Sequence, residues 1–465
     1  MIFSNARNLI SKSVRMSFFL MMLFPVLSKA EGTDITTEEY VKCIYASTSK
    51  VWPEIEKVWN TLAYRNIRLI VADSHDAWAI DSKNLIKIPY SEIQQRHLAV
   101  EYLHYQEIQW PDGRPTIYVS LGPSLPEEEV SRYRSGKKPV PLLFTVATHE
   151  AFHFFVQADT WKRRQQNISS RATEYPVQPN PRFYRNNIIR ALYASMEGDP
   201  RGLSHARYWS NLWKEQYHNE EIRIRQTDVD EGSAKYIEVA AEIIAQGVTF
   251  GTPEFYHAVL DKVREDVNII YTSPDSESYI IGALSGFILN TRKVEWQSYV
   301  EKGTPPLDVL LENIKPIKES ADLKLKKEIN EHIEKINGNS KIENFVKAFE
   351  YRDSIRIFID SDLFGTYSFN DTGGFFWTKS IPYDLVVGVT SSANWPGGSI
   401  NIKDGIAIQI NGEHPEFYGR RGFMVIYSGR IPPPNNGRLI LKTNTLSLDI
   451  TYPKEISKTK TIYLP

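Results

Sequence analysis

The stretch 145-TVATHEAFHFFVQ-157 decides how this chain is read. His149 and His153 stand four residues apart with Glu150 between them, and Leu142, Leu143, Phe144, Val146, Phe152, Phe154, Phe155 and Val156 surround them. A helix that is apolar nearly all round lies at the centre of a core, and residues i and i+4 share one helix face. Two imidazoles so placed reach one tetrahedral metal, with the intervening carboxylate beside the open coordination position. The competing reading is a buried helix that only happens to contain two histidines. Its weakness is energetic, because imidazoles and a carboxylate in apolar surroundings are costly without partners. A zinc ion supplies one.

A third ligand must come from elsewhere in the chain. Asp159 lies six residues after His153, where the metzincin pattern HExxHxxGxx(H/D) puts its ligand, but Val156 stands where that pattern has its turning glycine. The alternative is Glu231 in 230-DEGSAKYIE-238, where Ala234, Tyr236, Ile237 and Ala240 give a helical packing face. Glu231 is the preferred ligand. Glu238, seven residues on and close to the same face, is placed to orient a metal-bound histidine from behind or to face solvent.

With HExxH and a downstream Glu-Gly in hand, the chain resembles the gluzincins, zinc metallopeptidases that complete HExxH with a glutamate from a later helix. "DEGSAKYIE" is similar to the Glu-Gly segment of the aminopeptidase and leukotriene-hydrolase branch, whose glutamate binds zinc and corresponds to Glu231. In that branch a tyrosine in a Tyr-x-x-Gly context stabilises the oxyanion. The match falls in 276-SESYIIGALSGFIL-289, on Tyr279 with Gly282. The resemblance spans about residues 140 to 300. It lacks the Gly-x-Met-Glu-Asn signature for a free substrate amino terminus, and the 78 residues from His153 to Glu231 exceed that branch's spacing. Lys235 stands where thermolysin-like enzymes carry a histidine-orienting aspartate. Another gluzincin family is therefore expected. The resemblance implies Zn2+ held by His149, His153 and Glu231, Glu150 as general base, and Tyr279 as the oxyanion donor.

The rest of the chain sets the context. Its 465 residues predict two or three domains, and 55 basic against 56 acidic residues argue against a broad nucleic-acid-binding surface. Arg7, Lys12 and Arg15 precede the apolar 16-MSFFLMMLFPVL-27 and then Ser28-Lys29-Ala30, the pattern of a signal peptide cleaved after Ala30. Twelve apolar residues interrupted by Pro25 fall short of the roughly 20 that span a bilayer. Cys43 is the sole cysteine, so no internal disulfide forms, which suits a periplasmic or secreted bacterial protein. Asn167-Ile-Ser169 and Asn370-Asp-Thr372 match glycosylation acceptors.

Residues 36–62 read as helix with a break at Pro53, 66–81 and 114–122 as strands, 92–109 as helix or strand, and 182–290 as mostly helical. From Tyr351 onward, short β-branched runs alternate with turn residues. The expected class is α+β. A zincin-like catalytic domain over 31–350, with sheet and active-site helix in 31–160 and a helical subdomain in 161–350, precedes an all-β sandwich or barrel at 351–465. Thr116–Gly122 is the expected substrate-aligning strand, and Phe375, Phe376, Trp377 and Trp395 form either a surface platform or core. The resulting expectation is an exported zinc peptidase acting on peptides or proteins, with no nucleic-acid partner and no stable membrane span. The alternatives are a non-catalytic binding protein of the same fold, using its β-domain, and a zinc hydrolase of a non-peptide bond.

Overall fold

The computed structural model describes residues 34–134, 139–158, 161, 170–360, 367–370, 374–381, 383–411, 417–453 and 460–464. The expected leader with its cleavage point, Asp159, and all or part of both glycosylation acceptors lie outside them. The described chain is mixed α and β and forms two compact units. One takes residues 34–161 and Pro181–Asp322, and the other takes Ser170–Asn180 and Leu323–Pro465. Helices before residue 350 therefore group with the strands after it. Among the described residues no helix is long and apolar enough to cross a membrane.

The first unit opens with α1 (Thr37–Val51), started by a capping box between Thr36 and Glu39. Pro53 lies in a 3-10 turn that separates it from α2 (Ile55–Trp59). The sheet has five strands, β1 (Arg68–Asp73), β2 (Ala77–Ile80), β3 (Leu85–Ile88), β4 (Tyr105–Gln109) and β5 (Pro115–Gly122), in the order β3-β2-β1-β5-β4. Only β1 and β5 run parallel. The ambiguous stretch at 92–109 resolves into α3 (Ser91–Gln95) and β4. Strand β5 pairs with β1 on one side and β4 on the other. Its backbone groups are thus already used, and it cannot receive a substrate strand. The outer position expected of Thr116–Gly122 belongs to β4.

After α4 (Glu127–Arg134) comes the histidine helix, α5 (Leu142–Phe152), which continues as a π-helical turn over His153–Gln157. Pro141 offers no side-chain cap to α5, and buried Glu129 takes that role. One Glu129 oxygen accepts from the Leu142 N–H at 3.1 Å and the Tyr40 hydroxyl at 2.7 Å. A carboxylate there complements the positive end of the helix. Farther along, the Tyr64 hydroxyl donates to the Thr148 carbonyl and the Trp52 indole to the Thr148 hydroxyl, fixing the residue before His149.

The helical part comprises α6 (Pro179–Met196), α7 (Gly202–Gln216), α8 (His218–Ala245), α9 (Pro253–Asn268), α10 (Pro274–Thr291), α11 (Gln297–Val300) and α12 (Pro306–Leu311). Helices α8 and α10 cross with backbone against backbone. A Cβ added at Gly282 would fall 2.2 Å from the Gly232 Cα, and one added at Gly232 would fall 2.8 Å from the Gly282 Cα. Next to this crossing lies a buried charge network. Arg185 of α6 meets Asp228 of α8 at 2.6 Å and Glu277 of α10 at 2.7 Å, while Arg182 meets Glu277 at 2.9 Å and also pairs with Glu220. Both arginines are fully buried.

The second unit contains β6 (Thr173–Glu174), α13 (Leu323–Asn337), α14 (Ser340–Glu350), β7 (Ile355–Asp360), β8 (Tyr367–Asn370), β9 (Phe375–Trp377), β10 (Leu385–Trp395), β11 (Gly398–Asn411), β12 (Arg421–Tyr427), β13 (Arg438–Lys442), β14 (Leu446–Thr451) and β15 (Thr461–Leu464). The lysine-rich α13 buries Leu325, Ile329 and Ile333 on one face and solvates the rest, the face pattern its sequence suggests. The long β10–β11 hairpin breaks register around Gly388, which has φ +73°. Its proximal part pairs with β9 and β12, and its distal part with β8 and β14. One apolar core, including Ile357, Val386, Ile402, Val425 and Leu448, collects side chains from both branches. Phe375 and Phe376 are buried, and Trp377 and Trp395 pack partly buried on that core, so these four rings are core rather than a surface platform.

The α8–α10 crossing makes a specific demand. Gly282→Ala should cost about 3 kcal/mol, the upper range for overpacking a tight core, because the methyl meets backbone that cannot rotate away. Urea unfolding checks this. A midpoint equal to the wild type's would show that the helices are not in close contact.

Candidate metal centre

Three donor atoms from two helices converge. His149 Nε2 and His153 Nε2 are 3.0 Å apart, and Glu231 Oε2 lies 3.4 Å from the first and 3.2 Å from the second. They form the one group of three or more such ligands within bonding reach of a single ion among the described residues. A tetrahedral ion with bonds of about 2.0–2.1 Å separates its ligands by about 3.3–3.4 Å, close to the two Glu231 spacings and roughly 0.3 Å wider than the His149–His153 one. His149 is buried, whereas the side chains of His153 and Glu231 keep 17% and 12% of their surface exposed. The triangle thus has a solvent-facing side.

Each imidazole is backed at Nδ1. His149 Nδ1 lies 3.0 Å from Glu238 Oε2, the orienting placement considered from sequence. His153 Nδ1 lies 2.6 Å from Gln157 Oε1. The amide of Gln157 is oriented by its other end, where Nε2 donates to the Asp230 carbonyl at 2.8 Å and the Ser233 hydroxyl at 3.0 Å. Its oxygen therefore faces His153, whose Nδ1 must carry the proton. In both rings Nε2, the nitrogen that faces Glu231, is then the one that can bind an ion once its proton is lost. Gln157 also ties α5 to the turn of α8 that carries Glu231.

Two imidazoles and a carboxylate brought this close call for a positive charge between them, a proton or a metal ion. Desolvation lowers the His149 pKa, but hydrogen bonds to Glu231 and Glu238 outweigh it and push the pKa up to about 10. His153 shifts upward as well, Glu231 overcoming the opposing desolvation. Glu238 moves the other way, to about 2, where the charge of Lys235 and the bond from His149 outweigh desolvation.

Glu150 is buried beside the triangle. Desolvation raises its pKa to about 7 against the opposing pull of His153, His149 and a hydrogen bond from Tyr105. Tyr105 comes from β4, so the outer strand of the sheet and the candidate base are in contact. Tyr279 stacks on the His149 ring with centroids 5.8 Å apart and planes 19° apart. The α8–α10 crossing explains this, since Gly232 follows Glu231 directly and Gly282 lies one turn beyond Tyr279. All five residues singled out from sequence, His149, Glu150, His153, Glu231 and Tyr279, are thereby brought together.

Sequence reasoning missed Gln157 and Tyr105, and took Lys235 only as a departure from the thermolysin pattern, not as the partner of Glu238. Gln157 is one turn after His153 on the same face, and Lys235 is three residues before Glu238, so helical spacing could have found both. Nothing local marks Tyr105, which the sheet topology delivers. Compared with protein-family models, characterised proteins and solved structures, the chain finds no match.

Two outcomes follow from the geometry. A His149 that is protonated below about pH 10 when metal-free must lose its proton to bind an ion, so zinc affinity should rise with pH through neutrality. Calorimetry in buffers of different ionisation enthalpy should show at least about one proton released per zinc at pH 7.5, and buffer-independent heats would contradict this. Gln157→Leu should weaken zinc binding about 10- to 100-fold in chelator competition, and unchanged affinity would remove its role in orienting His153.

Proposed function

We propose that this chain is an exported zinc-dependent metallopeptidase of gluzincin type, with a zincin-like catalytic unit and an accessory β-rich unit. The observation that carries the reading is the convergence of His149, His153 and Glu231 at zinc-compatible spacing beside a buried carboxylate. The leader pattern at the amino terminus supports export.

When bound, zinc supplies Lewis acidity and lowers the pKa of a water to about 7. Glu150, raised to about 7, is matched to accept a proton near neutrality and return it to the leaving amine. Tyr279, packed against His149, supplies a phenol as hydrogen-bond donor to the developing oxyanion. Strand β4 lies at the rim of its sheet, no described strand pairing with its outer side, and it carries Tyr105 to Glu150. An extended peptide added to that strand would run past the base.

Elemental analysis of the mature protein should give one zinc per chain, lost in Glu231→Ala. Hydrolysis of a fluorogenic peptide library should fall at least about 100-fold in Glu150→Gln with zinc retained. A wild-type protein that takes up no zinc would overturn the metal site. A zinc-loaded protein inert toward every peptide would overturn the peptidase reading alone.

A further inference from the structure

The carboxylate behind His149 is itself held by a buried cation. Glu238 Oε2 faces His149 Nδ1 at 3.0 Å, and Glu238 Oε1 accepts from Lys235 Nζ at 2.7 Å. Lys235 is 2% exposed. Burying an ammonium is unfavourable unless a partner compensates it. Glu238 is that partner at hydrogen-bond distance, and Asp266 of α9 and Glu242 of α8 add to the negative field around it.

The arrangement divides the two Glu238 oxygens between two tasks. One faces the imidazole, and the other is tied to an ammonium on the same helix, three residues away. Without that tie the carboxylate can rotate away from the ring, and the donor set carries a further uncompensated negative charge beside Glu231 and Glu150. His153 has no such ionic backing, because a neutral amide stands behind it. The charge behind the two imidazoles is therefore set at His149.

We infer that Lys235 is a positioning residue of the metal centre, fixing the rotamer of Glu238 and through it the orientation of the His149 ring. This rests on the reading that the His149, His153 and Glu231 cluster binds metal. Lys235 is not one of the three clustered residues. Its influence passes through Glu238.

The test uses the full mature chain loaded with Co2+, whose visible d–d band reports ligand geometry, together with zinc affinity from chelator competition. Lys235→Met, which keeps the length and drops the charge, should weaken zinc about 10- to 100-fold and shift the cobalt band. Lys235→Arg should recover most of both. In a Glu238→Gln background, Lys235→Met should add little, because the residue through which it acts has already been altered. Lys235→Gln carries the same expectation if Lys235→Met does not fold.

An unchanged band and affinity in Lys235→Met would overturn the inference while leaving the metal site standing. So would an equal loss in the Glu238→Gln background, which would mark Lys235 as a general packing residue. A wild-type protein that binds no cobalt or zinc would overturn the site, and the role of Lys235 with it.

Discussion

Everything at the candidate metal centre depends on two helices touching without side chains between them. At the Gly232–Gly282 contact, α8 and α10 come as near as backbones allow. A larger residue at either position would separate the helices and move Glu231 relative to the ring that stacks on His149. The two glycines thus act in the site without touching any ligand atom. They turn two short sequence motifs, some fifty residues apart, into one surface facing α5.

Close approach alone does not fix the sliding of one helix along another. That register comes from the Arg182, Arg185, Asp228 and Glu277 network, which joins α6, α8 and α10 within a turn of Glu231 and Tyr279. Buried ion pairs add little net stability compared with well-packed apolar groups, yet breaking one partner costs about 3–5 kcal/mol. Such a network penalises a shifted arrangement more than it rewards the native one. An apolar seam would tolerate a slip of a few tenths of an ångström, and ligand atoms spaced at 3.0–3.4 Å would not.

What could be read from sequence follows the range of the forces involved. His149, Glu150 and His153 share one helix turn, and Glu231 and Tyr279 announced themselves through adjacent glycines, so local spacing was enough. The break at Pro53 and the helix start at Thr36 are local effects of a proline ring and a cap, equally visible. The substrate strand was assigned to Thr116–Gly122 because β-branched composition marks a strand without saying whether it lies inside or at the rim. Its burial along nearly the whole length, which fits a strand covered on both faces, shows only in the structure. The grouping of α13 and α14 with the later strands has no local signature either, because the amphipathic face of a helix does not name what it packs against.

The short stretch Ser170–Asn180 bears on the order in which the molecule is made. The chain leaves the first unit soon after the histidine helix, lays β6 beside β9 in the second, and returns to begin α6. A nascent chain is synthesised from its amino terminus, and domains generally fold as they emerge. Here β6 waits for a partner made about two hundred residues later, and the helix bearing Glu231 lies between them in sequence. The last stage of folding therefore belongs to a completed chain.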